Sequence, residues 1–293
     1  MTYSPPNQSR YGRSAYENQP RRRSNFSGLK LRLLIAGAIM LFSVVTFYSK
    51  GQVNPVTGEK QRVDMSVSDE IAMGLQAAPS MGAQSRNRQA QGHVDQIGNE
   101  LIYTLQSRLA KEGINIPYRF EFHLLADRRV NAFALPGGQV FITEELYRLL
   151  DSDGQHNGRL AGVIGHEIGH VLERHGSERM AKGNLLRGIV GAAGVAGGDM
   201  SSSRVASYIG NIVNMKYGRG DELESDRWGV ELMVLAGYNP EHMMAVMDVL
   251  ESSAGAGAPP EFLSTHPRPA NRREYIKEII AEKFPSGVPI GLR

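Results

Sequence analysis

The sequence predicts an α+β fold, mainly helical with one small antiparallel sheet, preceded by a single N-terminal transmembrane helix. Three observations carry this expectation. An uncharged run of sixteen residues lies between Leu33 and Tyr48. A period-two stretch, Tyr118-Arg-Phe-Glu-Phe-His-Leu-Leu125, is followed by two short apolar runs flanking Pro136-Gly137-Gly138, the pattern of strands joined by a tight turn. Elsewhere apolar residues recur at three- and four-residue spacing, as they do on helices.

Composition narrows the classes. The 293 residues are 41% apolar and 22% charged, ordinary for a globular chain, and enough follow position 50 for one sizeable domain or two small ones. The net charge of +3 is unevenly spread, because residues 1–50 hold eight Lys/Arg and one acid, Glu17. The remainder is therefore net acidic. A basic tail directly before an apolar run points to membrane orientation, and no nucleic-acid partner is expected. Cysteine is absent, which excludes disulfides, thiol nucleophiles, Cys-ligated zinc and a lipoprotein's acylated cysteine.

Taken in order, residues 1–30 read as a disordered basic cytoplasmic tail, rich in Ser, Asn, Gln, Pro and Arg. Residues 31–49 read as the anchor. Sixteen uncharged residues cover about 24 Å, and Arg32 and Lys50 can snorkel to complete the span. No small-x-small cleavage site follows Tyr48, so the segment is read as uncleaved. The tail then stays cytoplasmic, and the rest faces the other side of an inner membrane, the periplasm in a bacterium. Residues 50–65 read as a polar tether, 66–285 as the main domain and 286–293 as a C-terminal tail.

Within the domain a helix from about Val94 to Lys111 stops at Gly113. The strand at 118–125, the hairpin at 131–143 and a short helix at 144–150 follow. A polar loop at 151–158 leads into one long helix, 159–182. Residues 185–215 are rich in Gly, Ala and Ser and admit either packed small-residue helices or a mobile flap. Further helices are expected at 221–236, 240–252 and 269–283.

The chemistry centres on Gly165-His166-Glu167-Ile168-Gly169-His170. Histidines at i and i+4 differ by about 40° around a helix, so both rings reach one point beside it. Neutral imidazoles at that spacing suit Zn²⁺, and a glutamate next to the first ligand can deprotonate water there. A third ligand is needed. Gly176 stands where a metzincin would carry histidine, and His175 falls on the opposite face of an unbroken helix. The run Asp221-Glu-Leu-Glu-Ser-Asp226 places Glu222 and Asp226 on one helical face. Glu222 could bind metal while Asp226 orients a ligand histidine; a solvated helix N-terminus would look the same.

The motif His166-Glu-Ile-Gly-His170, the later Glu222-x-x-Ser-Asp226 and the upstream Asn131-Ala-Phe-Ala-Leu-Pro-Gly-Gly together resemble metallopeptidase family forty-eight. That family holds the HtpX-, BepA- and LoiP-like bacterial proteases and the CAAX prenyl protease. The resemblance covers about residues 65–285, with Ser225 where members usually carry alanine. It implies a gluzincin fold with Glu222 as third zinc ligand. It also implies a role for His266 in Ser264-Thr265-His266-Pro267, either stabilising an oxyanion or filling the open zinc position in a latent state.

The expected function is membrane-anchored zinc endopeptidase. One Zn²⁺ per chain is expected on His166, His170 and Glu222, with Glu167 as general base, His266 as helper and Asp226 behind the ligands. The edge formed by Asn131, Ala132, Phe133 and Ala134 is expected to pair with an extended protein or peptide substrate. Resemblance to periplasmic members implies unfolded envelope proteins as substrates, in quality control. The alternative is a zinc-binding, chaperone-like module with little proteolysis.

Overall fold

The computed structural model describes residues 26–151, 156–197, 217–253, 261–266 and 271–293. Helix α1 (Phe26–Ser49) begins before the expected anchor and takes in the last residues of the expected tail; residues 1–25 lie outside the described residues. It leads into a two-stranded antiparallel hairpin, β1 (Gly51–Val53) and β2 (Lys60–Arg62).

The expected tether therefore folds, and the reason is visible where it docks. Asn54 Nδ2 donates to the carbonyl of Leu172 at 2.8 Å, and Gln61 Nε2 to that of Glu173 at 2.5 Å. Both carbonyls sit at the end of a helix, where no intrahelical donor reaches them.

Helix α2 (Val67–Ala77) starts at a capping box between Ser66 and Asp69, and α3 (Arg88–Leu109) starts at Asn87. Strands β3 (Glu121–Leu125), β4 (Ala132–Leu135) and β5 (Gln139–Thr143) form the central sheet in the order β3-β5-β4. The sheet was expected to be antiparallel, but it is mixed. The β4–β5 hairpin is antiparallel, while β5 enters the middle and runs parallel to β3. Gly137 makes the hairpin turn with φ 87°, and a Cβ there would collide with the backbone of Ile71.

Helix α4 (Glu144–Leu150) follows, capped by Thr143. Then come α5 (His156–Leu172) and α6 (His175–Gly197). The single long helix expected at 159–182 is thus two. The break is Arg174, at φ 55°, whose buried guanidinium donates from Nε to Glu70 at 2.9 Å and from Nη2 to the Met65 carbonyl at 2.8 Å. These buried contacts offset the strain of a left-handed residue. The flap reading of 185–215 is answered only in part, since 185–197 continue α6 and 198–216 lie outside the described residues.

The chain ends with α7 (Arg219–Leu235), α8 (His242–Ser253), α9 (Glu261–Thr265) and α10 (Arg272–Lys283). The C-terminal tail is pinned as well: Arg293 N donates to Gly237 at 2.9 Å, and its carbonyl accepts from Asn239 at 2.7 Å.

Helix α5 lies at the centre of the core, buried from Gly158 to Leu172. It meets α7 through glycines. A Cβ on Gly165 would lie 3.1 Å from Gly229 Cα, and one on Gly169 would lie 2.9 Å from Ser225 Cα. This close approach brings the His166/His170 face of α5 against the Glu222/Asp226 face of α7. Gly169→Ala is expected to force the helices apart and cost about 1–3 kcal/mol. Denaturant unfolding checks this, and an unchanged midpoint would contradict it.

Candidate metal centre

His166 and His170 come from α5, Glu222 from the first turn of α7, and His266 from just beyond α9. All four are buried, and one ligand atom from each lies within 4.8 Å of the others. His166 Nε2 is 3.1 Å from His170 Nε2, and His266 Nδ1 is 3.3 and 3.2 Å from those two atoms. Glu222 Oε1 is 3.0 Å from His266 Nδ1 and 3.6 Å from His170 Nε2, and Oε2 is 3.6 Å from His166 Nε2.

Zinc–nitrogen bonds of roughly 2.0–2.1 Å would make the edges of a tetrahedron about 3.3 Å long. The observed separations cluster around that length. Three imidazole nitrogens meeting at one point cannot all be satisfied by protons on one another. A cation at their centre resolves the conflict, so the donor set fits a dication.

The outer contacts fix each ring. His166 Nδ1 faces Asp226 Oδ1 at 2.9 Å. Arg272 holds Asp226 with two hydrogen bonds of 2.6 Å and reaches Glu222 Oε2 at 2.9 Å. Burial opposes the Asp226 charge, but Arg272 and His166 outweigh it and hold its carboxyl below the usual range. Behind His170, Nδ1 is 2.9 Å from His175 Nδ1, and His175 Nε2 is 2.9 Å from Glu224 Oε2. Donation along this chain leaves Nε2 of His170 as the free lone pair. Burial, with the neighbouring histidines, keeps His170 neutral by lowering its pKa well below 6.5.

Glu167 sits beside this group, 0% exposed, with neither carboxylate oxygen hydrogen-bonded. His266 Nε2 lies 3.5 Å from its Oε1. Burial pushes the Glu167 carboxyl up. Such a group needs a partner that is not protein.

His175 departs from the opposite-face expectation: it is buried with Nδ1 against the rear nitrogen of His170, because the break at Arg174 turns it there. Arg272 and Tyr217 were missed outright. Tyr217 stacks on His170 with ring centroids 3.9 Å apart, and Phe262 stacks on His266 at 4.5 Å. Arg272 did leave a signal, since it shares the buried stripe of α10 with Ile276, Ile279 and Ile280. A charged residue on an apolar stripe implies buried partners. Tyr217 left none.

Of the expected substrate residues, Ala132, Phe133 and Ala134 lie in β4, whose outer edge has no strand partner among the described residues. Asn131 just precedes it, with a buried Oδ1 that makes no hydrogen bond. Ala134 shares a narrow cleft with His170 and Tyr217. Beyond Leu135 and Pro136 opens a mainly apolar cavity of about 390 Å³, bounded by α2 and α6.

Residues 88–280 match the profile of "Peptidase family M48". The chain is 30% identical over 228 residues to the "Beta-barrel assembly-enhancing protease" of Yersinia pestis, covering 74% of this chain and 45% of that protein. It is 25% identical to the "Mitochondrial metalloendopeptidase OMA1" of Schizosaccharomyces pombe, over 85% of this chain and 72% of that one. With the "Metalloprotease YcaL" of Escherichia coli it shares 26% identity, over 56% of this chain and 63% of the relative. The chain spans about half the length of the β-barrel assembly-enhancing proteases it matches.

Proposed function

The chain belongs to peptidase family M48, and from that premise we propose that it is a membrane-anchored zinc metalloendopeptidase. The observation that carries this reading is the convergence of His166, His170 and Glu222 from two helices beside a Glu167 carboxylate that accepts no hydrogen bond.

In this reading His166, His170 and Glu222 hold one Zn²⁺ per chain. Zinc supplies Lewis acidity, making water acidic near neutral pH and polarising a carbonyl. Glu167 takes the proton from the attacking water at a free carboxylate oxygen and passes it to the leaving amine. Asp226, fixed by Arg272, and His175, fixed by Glu224, keep the two ligand rings aimed. An extended peptide pairs with the free edge of β4 at residues 131–134, and the cavity beyond Pro136 takes one of its side chains.

His266 Nδ1 completes a four-donor set, which supports reading this arrangement as latent. Cleavage then requires His266 to leave that corner and turn to the reacting carbonyl. The closed set is also the observation favouring a chaperone-like module with little proteolysis, and proteolysis separates the two.

The apolar, exposed α1 supports an anchor at 31–49, with residues 1–30 cytoplasmic and the 66–285 domain outside an inner membrane. The names of the bacterial relatives support substrates among unfolded or mis-assembled envelope proteins. Purified protein is expected to cleave unfolded casein, to stop when zinc is chelated, and to recover when zinc is returned. Cleavage indifferent to chelation, or none under any condition, overturns the reading.

A further inference from the structure

Placing α1 in a bilayer has a consequence for α6, which runs antiparallel along it. Asn184 of α6 and Lys50 just after α1 both bind Asp64, at 2.9 and 3.5 Å. One turn further along α6, Gly188 abuts Ser43 so closely that a Cβ would not fit. The covered positions of α1 from Ala36 on, namely Ala36, Ile39, Ser43, Val44, Thr46 and Phe47, lie on one helical face, and on α6 Ala192 is 1% exposed. The remaining faces of α1 are bare, with Leu34 71% and Phe42 73% exposed. From Leu185 to Gly197 the one charged residue is Arg187, and Val190 is exposed.

We propose that α6 from about Gly188 onward lies in the same bilayer as α1, a partial-depth helix with lipid as its partner. This rests on the anchor reading. Ser43 lies six residues before the end of α1, about 9 Å below the membrane surface at 1.5 Å per residue. Because α6 descends from that level, Gly188–Gly197 occupy hydrocarbon depth. Lys182 and Arg187 straddle the headgroups, where long cationic side chains snorkel. Ser43, Gly188 and Ala192 permit the close backbone approach by which helices associate in lipid. α6 is not a full span; among the described residues only α1 is long and apolar enough to cross.

The arrangement fixes the height of the metal centre. α6 begins at His175, which touches His170. The thirteen residues from His175 to Gly188 span about 20 Å, so the centre stands about 10 Å above the surface. It reaches chain segments emerging at the bilayer before it reaches soluble ones.

The chain has no cysteine, so single cysteines report cleanly. Lys182→Cys, Val190→Cys and Phe42→Cys, each in the full chain, are reconstituted in phosphatidylethanolamine/phosphatidylglycerol vesicles and treated with a membrane-impermeant maleimide. Labelling of the denatured protein sets the maximum. All three side chains are more than a third exposed in the protein alone, so without lipid they label alike. The expected result is rapid labelling at 182 and at least tenfold slower labelling at 190 and 42. A fluorophore placed at 190 is expected to be quenched by nitroxide lipids.

Labelling at 190 as fast as at 182, with 42 protected, overturns the proposal and leaves the anchor standing. Labelling at all three overturns both. Protection at 190 without lipid quenching means that a second protein copy covers the face, which also overturns it. Ala193→Cys, the next exposed position on α6, repeats the test if Val190→Cys misfolds.

Discussion

Glu167→Gln is expected to lower proteolysis by about 10²–10⁴-fold, the usual worth of a positioned general base, without harming the fold. Neither Glu167 oxygen accepts a hydrogen bond, and its nearest cationic contact is His266 Nε2 at 3.5 Å, so no hydrogen bond is lost. The metal-free variant should in fact be more stable than the metal-free parent. Burial raises the Glu167 pKa in the folded state, so between its unfolded pKa, near 4.5, and that raised value the native state binds more protons. Stability of the parent therefore falls as pH rises through this window, and glutamine removes the fall. The variant's advantage should vanish below about pH 4. Equal casein cleavage by the two proteins would contradict the assignment of the base.

Arg272→Met is expected to be the most destabilising single change at the site. Arg272 is 3% exposed and binds Asp226 and Glu222, each 0% exposed. Removing it leaves the two buried carboxylates with only the imidazoles of His166 and His266 as hydrogen-bond partners, a loss of about 3–5 kcal/mol. Lysine should rescue poorly, because it cannot form the two-pronged contact to Asp226. Denaturant unfolding of the metal-free proteins measures the effect. A loss below about 1 kcal/mol would show that the buried network does not depend on this cation.

Much of this site was legible because its parts are local. The i, i+4 histidines need only a helix, and Glu222 and Asp226 need only a second one. The hairpin at 132–143 is written in two short apolar runs around Pro136-Gly137-Gly138. What was not legible depends on distant partners. The turn of His175 towards His170 follows from the left-handed Arg174, which is held by Glu70 and by the carbonyl of Met65. The mixed sheet depends on β5 inserting beside β3 instead of leaving the edge to the hairpin. The folded 51–62 hairpin exists because α5 ends in carbonyls that Asn54 and Gln61 satisfy. Periodicity carries none of these. Helix α1 is the opposite case, since its uncharged run from Leu33 to Tyr48 is explicit, although its start at Phe26 precedes that run.

Zinc analysis of the purified protein, wild type beside Glu222→Ala and Glu224→Ala, is the decisive measurement, with circular dichroism to verify the fold. About one zinc per chain is expected in the wild type and in Glu224→Ala, whose carboxylate stops at His175. Little or none is expected in Glu222→Ala. A folded Glu222→Ala protein that still holds one zinc per chain would contradict the ligand set.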